Sequence, residues 1–155
     1  MRTRVVIFLG VLIQTCLLNL AHALPVYKYE DVFGKPVTLE EKKNKQLVVF
    51  WATWCSECKG KLTTTLPELN QNPEVDVITV NADEDRERAA DYVTKNRLQI
   101  PVIRDLSQTL LKDLKVIALP FWVVYTRTHE KSFWTLKDSA VAFDLARVKK
   151  ALDIK

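Results

Sequence analysis

Residues 47–60 read LVVFWATWCSECKG, and this stretch decides the fold. Leu47 to Ala52 is an unbroken apolar run, the signature of a strand buried on both faces of a parallel sheet. Beyond it, Leu62, Leu66 and Leu69 recur at intervals of four and three, so the spacing predicts a helix over 56–70. Pro67 falls inside that helix and removes one backbone hydrogen bond, which predicts a kink there. Cys55 and Cys58 therefore stand where a buried strand turns into a helix.

That placement carries the chemistry. Unpaired N–H groups and the helix dipole stabilise an anion at a helix N-terminus, so Cys55 ionises more readily than a free thiol. Cys58 follows nearly one turn later, within bonding reach of Cys55 and more shielded by the helix body. An exposed, ionisable first thiol and a buried second one suit disulfide exchange. Cys55 attacks a substrate disulfide, and Cys58 resolves the mixed disulfide. Two rival readings of the pair are weaker. A zinc knuckle needs four ligands, and no second cysteine pair exists beside Cys16. A purely structural disulfide here closes a tiny loop and contributes little.

Working outward, 26–29 and 36–39 flank a turn at Gly34 and predict a small hairpin, followed by a lysine-rich spacer over 40–46. Val75 to Val80 is the next strand. Asn81 and Asp83 offer caps for a helix over about 84–96, with acids in its first turn. A short extended piece at 101–103 precedes a helix capped by Ser107 and carrying Leu110, Leu111 and Leu114. Pro120 to Tyr125 is a third buried strand, paired across a turn at 128–130 with 131–136. Asp138 or Ser139 caps a last helix on which Val141, Leu145, Val148 and Leu152 share a face. Parallel crossovers first and an antiparallel pair last give an α/β fold with a mixed central sheet and helices on both faces.

The first 23 residues read as a signal peptide: Arg2 and Arg4, an apolar stretch over 5–20, then the small-x-small pattern Ala21-His22-Ala23. One domain over 24–155 is expected to follow. An uncleaved N-terminal membrane anchor is the rival reading, although the stretch is short for a bilayer. Either way the domain leaves the cytosol, with the periplasm as its simplest destination. Of the chain's three cysteines Cys16 lies in this leader, which leaves Cys55 and Cys58 as a pair in an oxidising compartment.

Scarcity excludes several function classes. Glycine occurs only at Gly10, Gly34 and Gly60, so no phosphate-cradling or dinucleotide turn can be written. The histidines are His22 and His129 and the one methionine is Met1, too few for a multi-histidine or methionine-ligated metal site. The net charge of +4 falls by two without Arg2 and Arg4, and the remaining cations are scattered among acids. No nucleic-acid partner is expected.

The segment from Phe50 to Lys59 resembles the active-site segment of the thioredoxin superfamily, and its FWATWC wording is similar to the extracytoplasmic TlpA/ResA branch. The resemblance takes in the leading hairpin, the acidic turn from Val80 to Asp85, Ile100 to Asp105, and Val116 to Val124, and so covers essentially all of 26–152. It implies a thioredoxin-like fold, a redox-active Cys55–Cys58 disulfide in place of any cofactor, and a cis peptide at Pro120 facing the dithiol. Proline is the residue for which a cis bond costs little. Leu119 then offers backbone groups to a substrate segment lying beside Cys55, as in strand addition. Trp54 covers the disulfide, while Trp51 and Trp122 belong to the core.

Three departures stand out. The strand over 47–52 lacks the buried acid of thioredoxins proper, Lys61 stands where many relatives have a glutamate, and Pro67 comes late. Glu57 is then the available substitute as proton acceptor for Cys58, an exposed helical acid being the alternative. A negative Glu57 near Cys55 also disfavours the thiolate, which favours the disulfide and makes the couple a better reductant. The expected function is an extracytoplasmic protein disulfide reductase, for example in cytochrome c maturation. It is expected to act as a monomer on protein disulfides and to be recharged by a membrane electron donor. The alternative is a non-catalytic binding or metal-delivery module, for which His129 is the one available histidine. A peroxidase is excluded, because no cysteine has the required upstream proline and threonine.

Overall fold

The computed structural model describes residues 29–37, 43–105, 107–127 and 134–155. The leader with Cys16 and His22, the outer ends of the hairpin strands, part of the lysine-rich spacer, and the turn with His129 lie outside them. No helix of the described residues is long and apolar enough to cross a membrane.

The chain opens with β1 (Tyr29–Asp31) and β2 (Pro36–Val37), an antiparallel hairpin. Its turn is set by Asp31, whose Oδ1 accepts from the N–H groups of Phe33 and Lys35, both at 2.8 Å. Gly34 takes φ +80°, a left-handed conformation that glycine adopts without a Cβ clash. Strand β3 (Lys45–Trp51) follows, then α1 (Ser56–Gly60), a π-helical turn (Lys61–Thr65) and α2 (Leu66–Asn70). Strand β4 (Val75–Asn81), α3 (Arg86–Asn96), β5 (Val102–Arg104) and α4 (Thr109–Asp113) come next. The last elements are β6 (Phe121–Thr126), β7 (Thr135–Val141) and α5 (Leu145–Leu152).

The strands form one sheet in the order β2-β1-β5-β4-β3-β6-β7. β3 pairs parallel with β4 and antiparallel with β6, so only one neighbour of the buried strand is parallel. Its alternate residues serve two cores. Leu47, Val49 and Trp51 meet Leu62, Leu66, Ala89, Val148 and Leu152 on one face, while Val48 and Phe50 meet Ile78, Ile103, Leu110 and Phe121 on the other. Burial of such side chains stabilises by about 1.5–3 kcal/mol each, which makes β3 the spine of the fold.

Several helix starts differ from expectation. Asp85, not Asn81 or Asp83, caps α3 and accepts from the N–H groups of Glu87 and Arg88. α4 starts after Gln108, and Asp105 rather than Ser107 receives its N–H groups, from Thr109 and Leu111 at 2.9 Å each. Asp144 caps α5, because Asp138, Ser139 and Val141 belong to β7. There Asp138 instead pairs with Arg147, at 2.7 and 2.8 Å. The long helix is interrupted by the π turn ahead of Pro67, which therefore falls in the first turn of α2. Thr64 Oγ1 donates to the Gly60 carbonyl at 2.7 Å inside that turn, a local bond that accompanies the departure from α geometry.

Candidate active site

The parallel strands β3, β4 and β5 end at one edge of the sheet, and antiparallel β6 begins there. Trp51 pairs with Asn81, Asn81 with Arg104, and Phe50 with Phe121. Consequently the loops over 52–55, 82–85 and 118–120 gather at one end, where open α/β sheets place their ligands. The N–H of Ala82 donates to the Trp51 carbonyl at 2.9 Å and ties the first two loops together.

Cys55 is the N-cap of α1, with extended backbone (φ −82°, ψ 101°). Its Sγ accepts from the Cys58 N–H at 3.2 Å, in the place where a capping oxygen ordinarily sits. A sulfur held against a helix N-terminus is stabilised as an anion. Cys55 and Cys58 are joined as a disulfide, with a Cα–Cα distance of 5.4 Å. Cys58 is 2% exposed, as its place in the helix requires, but Cys55 is also nearly covered, at 6%. The first cysteine is thus less open than its position in the sequence suggested. It is held within the same apolar cluster as Cys58 and Leu62, against which Leu119 packs.

The remaining expected residues lie in α1 and in the loops at this end of the sheet. The Leu119–Pro120 peptide is cis. Pro120 is buried and its carbonyl accepts from the Ala142 N–H at 3.0 Å, while Leu119 is half-buried. Trp54, the residue before Cys55, is 68% exposed and, with Leu119, lines a groove of about 570 Å³. Glu57 lies exposed in the first turn of α1. Lys61 places its ammonium over the Phe143 ring, 5.8 Å from the centroid. Trp51 and Trp122 are fully buried.

Two features escaped the sequence reading. Ile117, 87% exposed, lines the same groove as Trp54; in the sequence an apolar residue between two elements looks like core. Asp83, read as a helix cap, is buried and bonded to Thr53. The usable signal was the Asn-x-Asp spacing of Asn81 and Asp83 just past a buried strand, which forms an Asx turn with Asp83 N–H donating to Asn81 Oδ1 at 3.2 Å. Arg104 braces this region from β5, and burial, followed by the Arg86 charge, lowers its pKa against the opposing pull of Asp83, Asp85 and Glu30. Among the described residues no group of three or more His, Cys, Asp or Glu side chains could hold a metal ion.

A family model described as Redoxin matches residues 21–129. Sporulation thiol-disulfide oxidoreductase A of Bacillus subtilis is 25% identical over 100 residues, 61% of this chain and 61% of that protein. Thiol-disulfide oxidoreductase ResA of Bacillus thuringiensis subsp. konkukian is 29% identical over 103 residues, 62% of this chain and 57% of its own length. The chain thus spans about three-fifths of the curated relatives it matches. The crystal structure of StoA from Bacillus subtilis superposes with TM-score 0.63 at 20% identity, over 81% of this chain and 94% of that one. A secreted Mycobacterium tuberculosis disulfide oxidoreductase, described as homologous to E. coli DsbE, gives TM-score 0.64 at 16% identity, over 82% and 94%. Likeness at these identities establishes a thioredoxin-like fold.

Proposed function

Because the chain belongs to the Redoxin family, we propose that it is a thiol–disulfide oxidoreductase of the ResA/StoA type, working outside the cytosol as a reductase of protein disulfides. The observation that carries this reading is the Cys55–Cys58 disulfide at the N-terminus of α1, in the loop cluster that also holds Leu119, Pro120 and exposed Trp54. Signal-like residues 1–23 support export to the periplasm, by cleavage or as an anchor.

In the reduced protein Cys55 reacts as the thiolate, stabilised by the Cys58 N–H and the helix dipole. Its Sγ attacks one sulfur of a substrate disulfide, that S–S bond breaks, and the departing sulfur takes up a proton. Cys58, after losing its proton, attacks Cys55 Sγ; the mixed disulfide breaks and the second substrate thiol leaves. Two electrons and two protons pass from the dithiol to the substrate, and the Cys55–Cys58 disulfide returns. A dithiol donor, membrane-bound in this reading, must then recharge it. Leu119 presents backbone groups to the substrate segment, Trp54 its indole face, and Glu57 biases the couple against the thiolate. A maturing protein such as an apocytochrome c fits this scheme as substrate.

Insulin-disulfide reduction tests the assignment. Wild-type protein should be active and Cys55→Ser inactive, whereas a binding module would show no difference between them. Cys58→Ser should accumulate a mixed disulfide with the substrate on Cys55. The direction is read from the equilibrium with glutathione: a reduction potential of about −120 mV, the range of a strong protein oxidant, would reverse it.

A further inference from the structure

Strand β3 buries no acid, yet a carboxylate reaches the turn beyond it from a different strand. Asp83 is 7% exposed. Its oxygens accept from the Thr53 N–H at 2.9 and 3.2 Å, from Thr53 Oγ1 at 2.8 Å and from Asn81 Nδ2 at 2.7 Å. The turn bearing it is clamped in return. Arg104, 8% exposed, donates through Nη2 to the carbonyls of Asp83 at 2.9 Å and Glu84 at 3.1 Å. All of this rigidity is delivered to Thr53, two residues before Cys55.

The value of such a brace differs between the two redox states. In the disulfide, the bond to Cys58 itself holds Cys55 at the cap of α1. Once that bond is reduced, Cys55 is kept there by the Cys58 N–H and by whatever fixes the turn over 53–55. Resting on the reading of the dithiol as redox-active, we propose that Asp83 is a positioning residue for disulfide exchange, which holds the Thr53–Trp54–Cys55 turn so that Cys55 stays at the helix cap after reduction. It stabilises the dithiol state selectively and keeps the nucleophile oriented for attack.

The test is the equilibrium of Cys55–Cys58 with glutathione, read by alkylation of the reduced fraction. Asp83→Asn should shift it toward the disulfide by about fivefold, the worth of about one net hydrogen bond. Thr53→Val, which keeps the charge and the backbone bond, should shift it the same way by about twofold, and Thr53→Ser should match wild type. Melting temperatures should agree, with the reduced form of each shifted variant losing more than its oxidised form. Equal losses in both forms, or an unchanged equilibrium, would mean that Asp83 only stabilises the fold. A shift toward the dithiol would show that its charge, not its bonds, governs Cys55. Either result overturns the proposal. Should Asp83→Asn fail to fold, Thr53→Val decides alone. The measurement needs no protein substrate, so a wild type inert toward insulin would sink the reductase reading and leave this one still testable.

Discussion

At the scale of single residues, the two most exposed large apolar side chains among the described residues line one groove together with Leu119. Trp54 is 68% exposed and Ile117 87%. Side chains so open to water add little to the stability of the fold, and in the proposed reading Trp54 and Ile117 are covered by the bound substrate. Each could lose some 50 Å² of apolar surface to a bound substrate, worth about 1.3 kcal/mol, or about tenfold in affinity. Trp54→Ala and Ile117→Ser are therefore expected to raise KM for insulin about tenfold each while leaving the melting temperature nearly unchanged. A loss of kcat alone would argue against substrate contact. Phe50 is the contrasting case. It is fully buried in β3, and Phe50→Ala should cost about 3–5 kcal/mol in urea unfolding.

At the scale of elements, glycine at position 60 is a local weakness in the helix that carries the cysteines. Its backbone is helical, with φ −63° and ψ −36°, and an added Cβ would meet nothing within 4 Å. Gly60→Ala should raise stability by about 0.5–1 kcal/mol, mainly by restricting the unfolded chain, and a lower urea midpoint would contradict this. Gly34 is the opposite case: at φ +80° a Cβ would also lie 2.7 Å from Arg86 Nη1, so Gly34→Ala is strained. The pair Asp138–Arg147 joins β7 to α5. The hydrogen bond from Arg147 holds the Asp138 carboxyl below its ordinary value, with the Ser139 N–H helping and burial opposing. A pKa lower in the folded than in the unfolded chain contributes stability above the unfolded value, lost as pH falls through the folded one. Melting temperature should thus fall less steeply from about pH 5 to about pH 3 in Asp138→Asn than in wild type. These elements also show what the sequence could reveal. The spine β3 and the cysteine junction were legible, because an apolar run running into a helical period has few other solutions. β7 was legible only in part: its pairing with β6 and its first residues, 135–136, were expected, but its run over 137–141 was not, because it is an edge strand with mostly open side chains and no apolar alternation there. Its Asp138 and Ser139 offer the same side chains to a helix cap as to a strand, and only the tertiary pairing with β6 decides. Likewise Asp83 looked like a cap, because a carboxylate near a helix start has the same spelling whether it serves that helix or a loop from another strand.

At the scale of the whole molecule, the disulfide belongs to the larger of the two apolar clusters found among the described residues. Cys55 and Cys58 share one apolar cluster with β3, the long helix, α3 and α5. A redox change at this pair is therefore a change in the stability of the entire domain. The coupling is a closed thermodynamic cycle. If folding favours the disulfide over the dithiol, relative to the same cysteines in the unfolded chain, then the oxidised fold is the more stable one and the couple is reducing. Strong oxidants run the other way, because their reduced form is the stabilised one. Here both sulfurs are nearly sealed in apolar surroundings, which disfavours a thiolate, and in the proposed reading Glu57 in the first turn of α1 opposes it further. The cap bond from the Cys58 N–H pulls toward the thiolate. If, as the proposed reductase reading requires, burial and Glu57 outweigh that bond and the helix dipole, thermal unfolding of the oxidised protein should occur several degrees above that of the fully reduced protein. Cys55→Ser/Cys58→Ser should melt near the reduced form. Identical melting curves would mean that the fold is indifferent to its dithiol. A reduced form melting higher would make the protein a disulfide donor, and the direction of electron flow proposed for it would have to be inverted.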